Sequence, residues 1–495
     1  VLEIAFQADR HSRQPLYRQL ADYLRGLVAA GRIPAGERLP ATRDLAATLV
    51  LSRNTVNQAY QSLVDDGVLV AHVGQGTFVT SRGAALKDRS PAPPVRAFAW
   101  EGLVARSARS AALPDAWRGE TAGRAPFDFR AGRVDREALP VAELRRAYGG
   151  AIRQQLPRLA NQLDPFGWKP LREQVARTLV ARGIACEPAD VAIVSGAQQA
   201  LSLTAQVLVD AGDRVALEQP GYFGAASAFR SAQAELVGID VDEDGLRVDQ
   251  LARVLRSRRV KLVYTTPAAQ HPTGAVLSEP RRQALLELAD ECQLPVLEDD
   301  YDSEFRFGET PRPALKTRDA AGQVIYVGTF SKALFPGLRL GYVVAARPLL
   351  ARLVRARITA DFGSDALAQA AVAELLASGA LERHVRRLRR LYAQRRNALL
   401  AALEECMPPD TRWSRPRGGL SVWLTLPPGA DPAALESGAR AAGVAFTRGD
   451  MAFFDGRGRD CLSLSFVNQD PARIREGVAR LAEAIEGARL LRRSA

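Results

Sequence analysis

The feature that most constrains this chain is a change of pattern near residue 125. Beyond it, short apolar runs alternate with stretches of helical periodicity: Val191–Val194, Arg214–Leu217, Glu235–Ile239, Lys261–Tyr264, Pro295–Glu298, Val324–Gly328 and Leu340–Ala345. Short runs rich in Val, Ile and Leu with helices between them suit strands buried on both faces. They predict an α/β domain built on a mostly parallel sheet. In such sheets ligands sit at the carboxyl ends of strands, so the residues that follow the runs are the ones to read for chemistry.

Length and composition narrow the class further. The 495 residues exceed one ordinary core and suggest roughly three lobes. A hydrophobic content of 47% and a charged content of 25% are those of a soluble globular protein. No run of about 18 apolar residues exists, so no membrane span is expected. The opening Val1-Leu2-Glu3-Ile4 lacks the basic-then-apolar layout of a secretion signal. Cys186, Cys292, Cys406 and Cys461 are far apart and form no C-x-x-C pair. They predict reduced thiols in a cytoplasmic protein, with neither a metal site nor a disulfide framework. The net charge of +12 suits a nucleic-acid partner. Residues 1–90 carry 11 Lys/Arg against 8 Asp/Glu, however, so charge alone does not locate that partner.

The first eighty residues are more specific. Leu16, Leu20, Tyr23, Leu24, Leu27 and Val28 recur at helical spacing and predict an amphipathic helix ending near Gly31. Arg43 to Leu49 forms a second, and Ser52 is placed to N-cap a third. On that third helix Val56, Ala59, Tyr60, Leu63 and Val64 face inward, while Arg53, Asn54, Thr55 and Asn57 lie near the N-terminus on the other side. A recognition helix presents side chains to base edges from there. A hairpin of Val68–Val70 and Thr77–Thr80 around Gly74-Gln75-Gly76 would be a wing. A small helical domain with a solvated polar face shows the same helix pattern. Residues 81–125, with Pro91, Pro93 and Pro94, read as a linker.

Three segments of the large domain carry candidate chemistry. Ser195-Gly196-Ala197-Gln198-Gln199 stands between a strand and a helix, where free amides attract an anion such as phosphate. Glu298-Asp299-Asp300-Tyr301 follows a strand, and a buried carboxylate there could keep a pyridine nitrogen protonated. An N-cap or a metal-binding cluster is the other reading of that segment. Gly328-Thr329-Phe330-Ser331-Lys332 offers a lysine for Schiff-base chemistry, and Arg339, seven residues on, a phosphate clamp. Most lysines are merely solvated.

Taken together, PAGERLPATRDLA, LSRNTVNQAYQSLVDDGVL and GQGTFV resemble the GntR-type winged helix. LDPFGWKPLRE, SGAQQAL, EQPGYFG, EDDYDSEF and GTFSKALFPGLRLGY resemble fold-type I aminotransferases, and the whole resembles the MocR/GabR regulators. The resemblance implies a winged helix-turn-helix domain over 1–80 and an aminotransferase-like domain over 126–495. The latter would have a seven-stranded sheet and a small C-terminal α+β subdomain over about 380–495. It implies pyridoxal 5'-phosphate as cofactor, with Lys332 as its Schiff-base lysine and Asp299 on the pyridine nitrogen. Tyr301 would bond the 3-hydroxyl and Tyr222 would stack on the ring, while Ala197, Gln198, Thr329 and Arg339 would hold the phosphate. It further implies that Arg43 and Arg53 contact a double-stranded DNA operator, assisted by Thr55 and the Gly74–Gly76 wing tip, and that the protein is a head-to-tail homodimer.

Two departures stand out. In Thr266-Pro267-Ala268-Ala269-Gln270-His271-Pro272-Thr273-Gly274, His271 sits where aminotransferases carry the Asn of N-P-T-G. It would either bond the 3-hydroxyl or be a satisfied loop histidine. In Cys461-Leu462-Ser463-Leu464-Ser465-Phe466, Ser463 stands in place of the arginine that binds a substrate carboxylate, with Arg448, Arg457 and Arg459 as candidate substitutes. The expectation is a cytoplasmic regulator that senses an amine, an amino acid or pyridoxal phosphate itself. The alternative is a working aminotransferase with an accessory DNA-binding domain.

Overall fold

The computed structural model describes residues 4–9, 14–72, 74–81, 100–105, 108, 125–161, 164–307 and 313–493. The chain forms two compact units, residues 1–103 and 104–495. Most of the expected linker, 81–125, lies outside the described residues.

The first unit contains α1 (Leu16–Ala29), α2 (Thr42–Leu49), α3 (Arg53–Asp65), β1 (Leu69–His72) and β2 (Gly76–Val79). Leu20, Leu24, Leu27 and Val28 of α1 are buried with Val56, Ala59, Tyr60 and Leu63 of α3 in one core. Each fully buried aliphatic side chain contributes about 1.5–3 kcal/mol, and this face holds the helices together. Val50 ends α2 in the left-handed region at φ 51°, which turns the chain sharply into α3. β1 and β2 pair antiparallel with Leu69 opposite Val79 and His72 opposite Gly76. Gly76 has φ +120°, and a Cβ there would lie 2.7 Å from Arg38 Nε. The backbone conformation favours glycine at that point of the hairpin, while the Arg38 side chain is flexible enough to move aside.

The second unit is built on an eight-stranded sheet. Its strands are β4 (Val191–Val194), β5 (Arg214–Gln219), β6 (Glu235–Asp242), β7 (Gly245–Leu246), β8 (Leu262–Thr265), β9 (Val296–Asp300), β10 (Val324–Thr329) and β11 (Gly341–Val344). The order is β4-β11-β10-β9-β8-β5-β6-β7. β10, β9, β8, β5 and β6 are mutually parallel, while β11 runs antiparallel to both its neighbours. The seven expected strands are all present. The eighth, β7, is a two-residue hairpin partner of β6, too short to register as an apolar run. Along β4, Val191 and Ile193 enter one core and Ala192 and Val194 the other, so both faces are covered.

A second sheet has the order β12-β13-β15-β14-β3, with β3 (Phe127–Phe129), β12 (Arg412–Trp413), β13 (Ser421–Thr425), β14 (Val444–Arg448) and β15 (Cys461–Ser465). β3 pairs parallel with β14, Phe127 opposite Val444. The smaller lobe is therefore not purely C-terminal. Phe127 and Phe129 are buried in the same core as Leu462, Leu464 and Phe466.

Candidate functional site

The N-terminal unit presents an exposed polar stripe. Arg53, Asn54, Asn57 and Gln58 are exposed on α3, Arg43 is exposed on α2, and Gly74 and Gln75 form an exposed wing tip with Gly76 half-buried beside them. Ser52 Oγ accepts the Thr55 amide hydrogen at 3.1 Å, and the two hydroxyls are 2.8 Å apart. These two residues therefore start the helix that carries the stripe. Gln58, one residue beyond Asn57, shares the exposed face and was missed by the sequence reading; i, i+4 spacing from Asn54 was the available signal.

In the second unit a cavity of about 370 Å³ opens at the carboxyl ends of the central strands. Ala197, Gln198, Tyr222, His271, Asp299, Tyr301, Thr329, Lys332 and Arg339 all line it. The carboxylates of β9 alternate as a strand requires. Glu298 turns one way and accepts the amides of Leu315 at 2.8 Å and Lys316 at 2.9 Å. Asp300 turns the same way and pairs with Arg182 at 2.7 Å. Burial opposes ionisation of Asp300, but Arg182, Tyr326 and Ser303 outweigh it and hold its pKa below the ordinary value. Between them Asp299 points to the cavity. Its Oδ2 accepts from Tyr264 Oη at 2.9 Å, and its Oδ1 has no hydrogen-bond partner among the described residues. Burial pushes its pKa up to about 7, against the bond from Tyr264.

Around Asp299 the loop after β8 is held by Glu218 at the end of β5. Glu218 is buried and accepts from Thr265 Oγ1 at 2.5 Å, from Thr266 Oγ1 at 2.6 Å and from the Thr266 amide. His271, fixed by that loop, meets Tyr222 and Tyr301 edge-on, with ring centroids 5.6 and 5.9 Å away. Burial, then the Lys332 charge, lowers its pKa to about 4, so it is neutral at pH 7. Tyr222 donates to Gln198 Oε1 at 3.2 Å, and burial raises its phenol to about 12. Lys332 follows β10, where desolvation lowers its pKa and the fields of Asp302 and Asp299 oppose that shift.

At the N-terminus of α4 (Ala197–Leu208), Gly196 adopts φ +86°. A Cβ there would stand 3.2 Å from the Arg339 guanidinium, so glycine lets that side chain reach the helix start, where it donates to Ser195 O at 2.8 Å. Arg339 itself is left-handed at φ 51°. Such a conformation costs a non-glycine residue on the order of 1–3 kcal/mol and is kept where geometry at a site demands it. Ser331 also lines the cavity and receives the Thr329 hydroxyl at 3.1 Å. Ser331 lies inside the Gly328–Lys332 motif, where the sequence pattern alone assigns it no role.

The opposite wall comes from the smaller lobe. Ser463 on β15 is 2% exposed, and its Oγ has no hydrogen-bond partner among the described residues. Arg448 lines the cavity and binds Asp450 through Nε at 3.1 Å. Arg457 is elsewhere, 3.2 Å from Asp240 and 2.7 Å from Asp455. Arg459 is exposed and does not line the cavity. Two arginines not anticipated from sequence line it instead. Arg130 grips Asp128 through bonds of 2.8 and 2.7 Å, and Arg133 stands 3.6 Å from the same carboxylate. They follow β3, whose part in this lobe no local pattern betrayed.

Known proteins match both units. Residues 133–481 match the model of aminotransferase class I and II, and residues 16–79 that of bacterial regulatory proteins of the gntR family. A probable rhizopine catabolism regulatory protein, MocR, of Rhizobium meliloti is 32% identical over 485 residues, covering 96% of this chain and 95% of that one. The HTH-type transcriptional regulator TauR of Rhodobacter capsulatus is 36% identical over 466 residues, covering 92% and 94%. The crystal structure of the α-aminoadipate aminotransferase LysN of Thermus thermophilus, complexed with N-(5'-phosphopyridoxyl)-L-leucine, superimposes with a TM-score of 0.75 at 36% identity. It covers 80% of this chain and 100% of that one. Because the regulators align from the winged helix through the aminotransferase domain, the chain belongs to the MocR/GabR family of helix-turn-helix transcriptional regulators.

Proposed function

We propose that this chain is a DNA-binding regulator that reads a small amine, or pyridoxal 5'-phosphate itself, in the cavity around Lys332. The unpaired Oδ1 of buried Asp299, facing the same cavity as Lys332, carries the cofactor assignment. A buried carboxylate without a cation is costly, and a protonated pyridine nitrogen would supply that cation. Lys332 would hold the aldehyde carbon, and its depressed pKa makes the amine a better nucleophile. The first turn of α4, with Gln198, Thr329 and Arg339, would hold the phosphate. Tyr222 and His271 would pack on the ring, and Tyr301 would donate to its hydroxyl. When bound, the cofactor supplies an electrophilic carbon for amines and a ring that accepts electrons.

Arg53, Asn54 and Asn57 would read bases of an operator while Arg43 and the Gly74–Gly76 tip contact its backbone. Binding in the cavity would alter the arrangement of two such heads in a homodimer, a linkage between separate sites. The family resemblance supports the head-to-tail dimer. Among the described residues no helix is long and apolar enough to cross a membrane, which agrees with a cytoplasmic setting. Ser463 favours effectors other than ordinary α-amino acids, since a serine offers a carboxylate one hydrogen bond and no charge. An acidic group would have to reach Arg130, Arg133 or Arg448.

The test is to load the purified chain with pyridoxal phosphate, reduce it with borohydride and map the modified peptide. Modification at Lys332, and loss of the visible absorption band in Lys332→Ala, are expected. An unchanged band in that variant overturns the assignment.

A further inference from the structure

Arg357, on α5 (Arg347–Ala360), is 1% exposed and lines no part of the cavity. Its guanidinium holds three segments at once. Nη1 donates to Ile193 O, on β4, and to Pro165 O at 3.2 Å. Nη2 donates to Ser364 Oγ at 2.7 Å, and Nε to Asp361 Oδ1 at 3.3 Å. From Ser364 and Asp361 the contacts run on to the start of α4. The hydroxyls of Ser364 and Ser195 are 3.0 Å apart, and the Ser195 amide donates to Gln199 Oε1 at 2.7 Å. Gln199 Nε2 donates to Asp361 Oδ2. Arg357, Ser364, Ser195, Gln199 and Asp361 thus close a ring of hydrogen bonds. Ser195 and Gln199 bracket Ala197 and Gln198, the residues of this turn that line the cavity. Ser195 also presents its carbonyl to Arg339, so the ring and the phosphate clamp meet at one residue. A cation taken out of water needs countercharge. Among the described residues the one ion pair of Arg357 is with Asp361, whose side chain is 30% exposed. Its other partners are neutral oxygens, which orient the guanidinium and bring no charge.

We propose, resting on the reading that the cofactor phosphate sits at the first turn of α4, that Arg357 is a positioning residue for that phosphate. Through Ser364 and Asp361 it fixes Ser195 and Gln199, so that the amides opening α4 and the Arg339 guanidinium are held toward one point. It touches neither the cofactor nor Lys332. Donors already held in place bind an anion without a further loss of freedom. The rigid fork of a guanidinium suits this task, because it spaces several acceptors at once. The phosphate in turn supplies negative charge near a buried cation that Asp361 balances only in part. Pyridoxal, which carries no phosphate, gains nothing from the ring. Arg357 thereby sets the preference of the cavity for the phosphorylated ring over the free one.

Pyridoxal 5'-phosphate and pyridoxal, each titrated into the full-length protein and followed by the visible band, test this. Arg357→Gln should weaken pyridoxal phosphate by roughly 10–100-fold, the loss expected when a group that orients the binding residues is removed. Pyridoxal should bind that variant as it binds wild type. Equal weakening of the two ligands makes Arg357 a merely structural residue and overturns the proposal, as does unaltered affinity for both. Should Arg357→Gln fail to fold, Ser364→Ala decides, since it opens the ring and leaves the other bonds of the buried cation in place. It should weaken pyridoxal phosphate by about 3–10-fold and spare pyridoxal. Parallel losses, or none, overturn the proposal there too. Failure of the underlying cofactor reading shows separately, in the wild type: protein that takes up pyridoxal phosphate no better than pyridoxal, or not at Lys332.

Discussion

The two units place their working residues in opposite environments. In the N-terminal unit Arg43, Arg53, Asn54 and Asn57 are exposed on a helical scaffold whose core lies on the other face. In the large unit Asp299 and Ser463 are buried polar groups, each with an oxygen that has no hydrogen-bond partner among the described residues. Exposed recognition residues are nearly neutral to folding, because water satisfies them when DNA is absent. Buried ones weigh on the fold until a ligand completes them. Binding at the surface and stability are therefore separable in the first unit and coupled in the second.

The largest test of that contrast is Asp299. Its folded pKa of about 7 lies above the ordinary carboxyl value, so its contribution to stability is fully present below about pH 4 and is lost as pH rises to about 7. A shift of roughly 3 units corresponds to about 4 kcal/mol. Calorimetry of the cofactor-free chain should show Asp299→Asn abolishing that part of the pH dependence and melting higher than wild type at pH 8. A difference between the two that stays constant from pH 4 to 8 would mean the carboxyl is not raised.

Ser463→Arg comes next. A charged hydrogen bond to a carboxylate contributes about 1.5–3 kcal/mol. α-Amino acids should bind the loaded variant correspondingly more tightly, read from the visible spectrum. Unaltered affinity would place the carboxylate away from β15.

On the exposed unit, Arg53→Ala should weaken operator binding by about 1–3 kcal/mol if Arg53 contacts a base in two places. Its melting should stay within about 0.5 kcal/mol of wild type. Arg43→Ala should weaken all sequences alike and reduce the salt slope by about 1. Gel shifts over a salt series separate the two, and a large drop in melting for Arg53→Ala would break the contrast between units. The smallest effect is expected of Ser52→Ala, which removes the cap on α3. About 1 kcal/mol should be lost, visible as faster hydrogen exchange in the first turn of that helix.

The sequence by itself determined what local periodicity and chain-adjacent chemistry can encode. The seven main strands and the three N-terminal helices were legible because runs of period 2 or 3.6 are properties of neighbouring residues, while the nine cavity residues were legible through the family resemblance of the segments that carry them. Asp299 could be singled out of three consecutive carboxylates through the family pattern. The physical reason, that strand alternation turns Glu298 and Asp300 to the other face, became visible only in the fold. Tertiary structure alone decided the rest. It brought Tyr264 to Asp299 and Glu218 to the loop of His271. It carried β3 into the smaller lobe, and with it Arg130 and Arg133 to the cavity, and it separated Arg448 from Arg457 although nine positions divide them in the chain. Such meetings depend on which strand ends and loops converge. Hydrogen bonding and burial between distant segments set that convergence, and no window of neighbouring residues contains it.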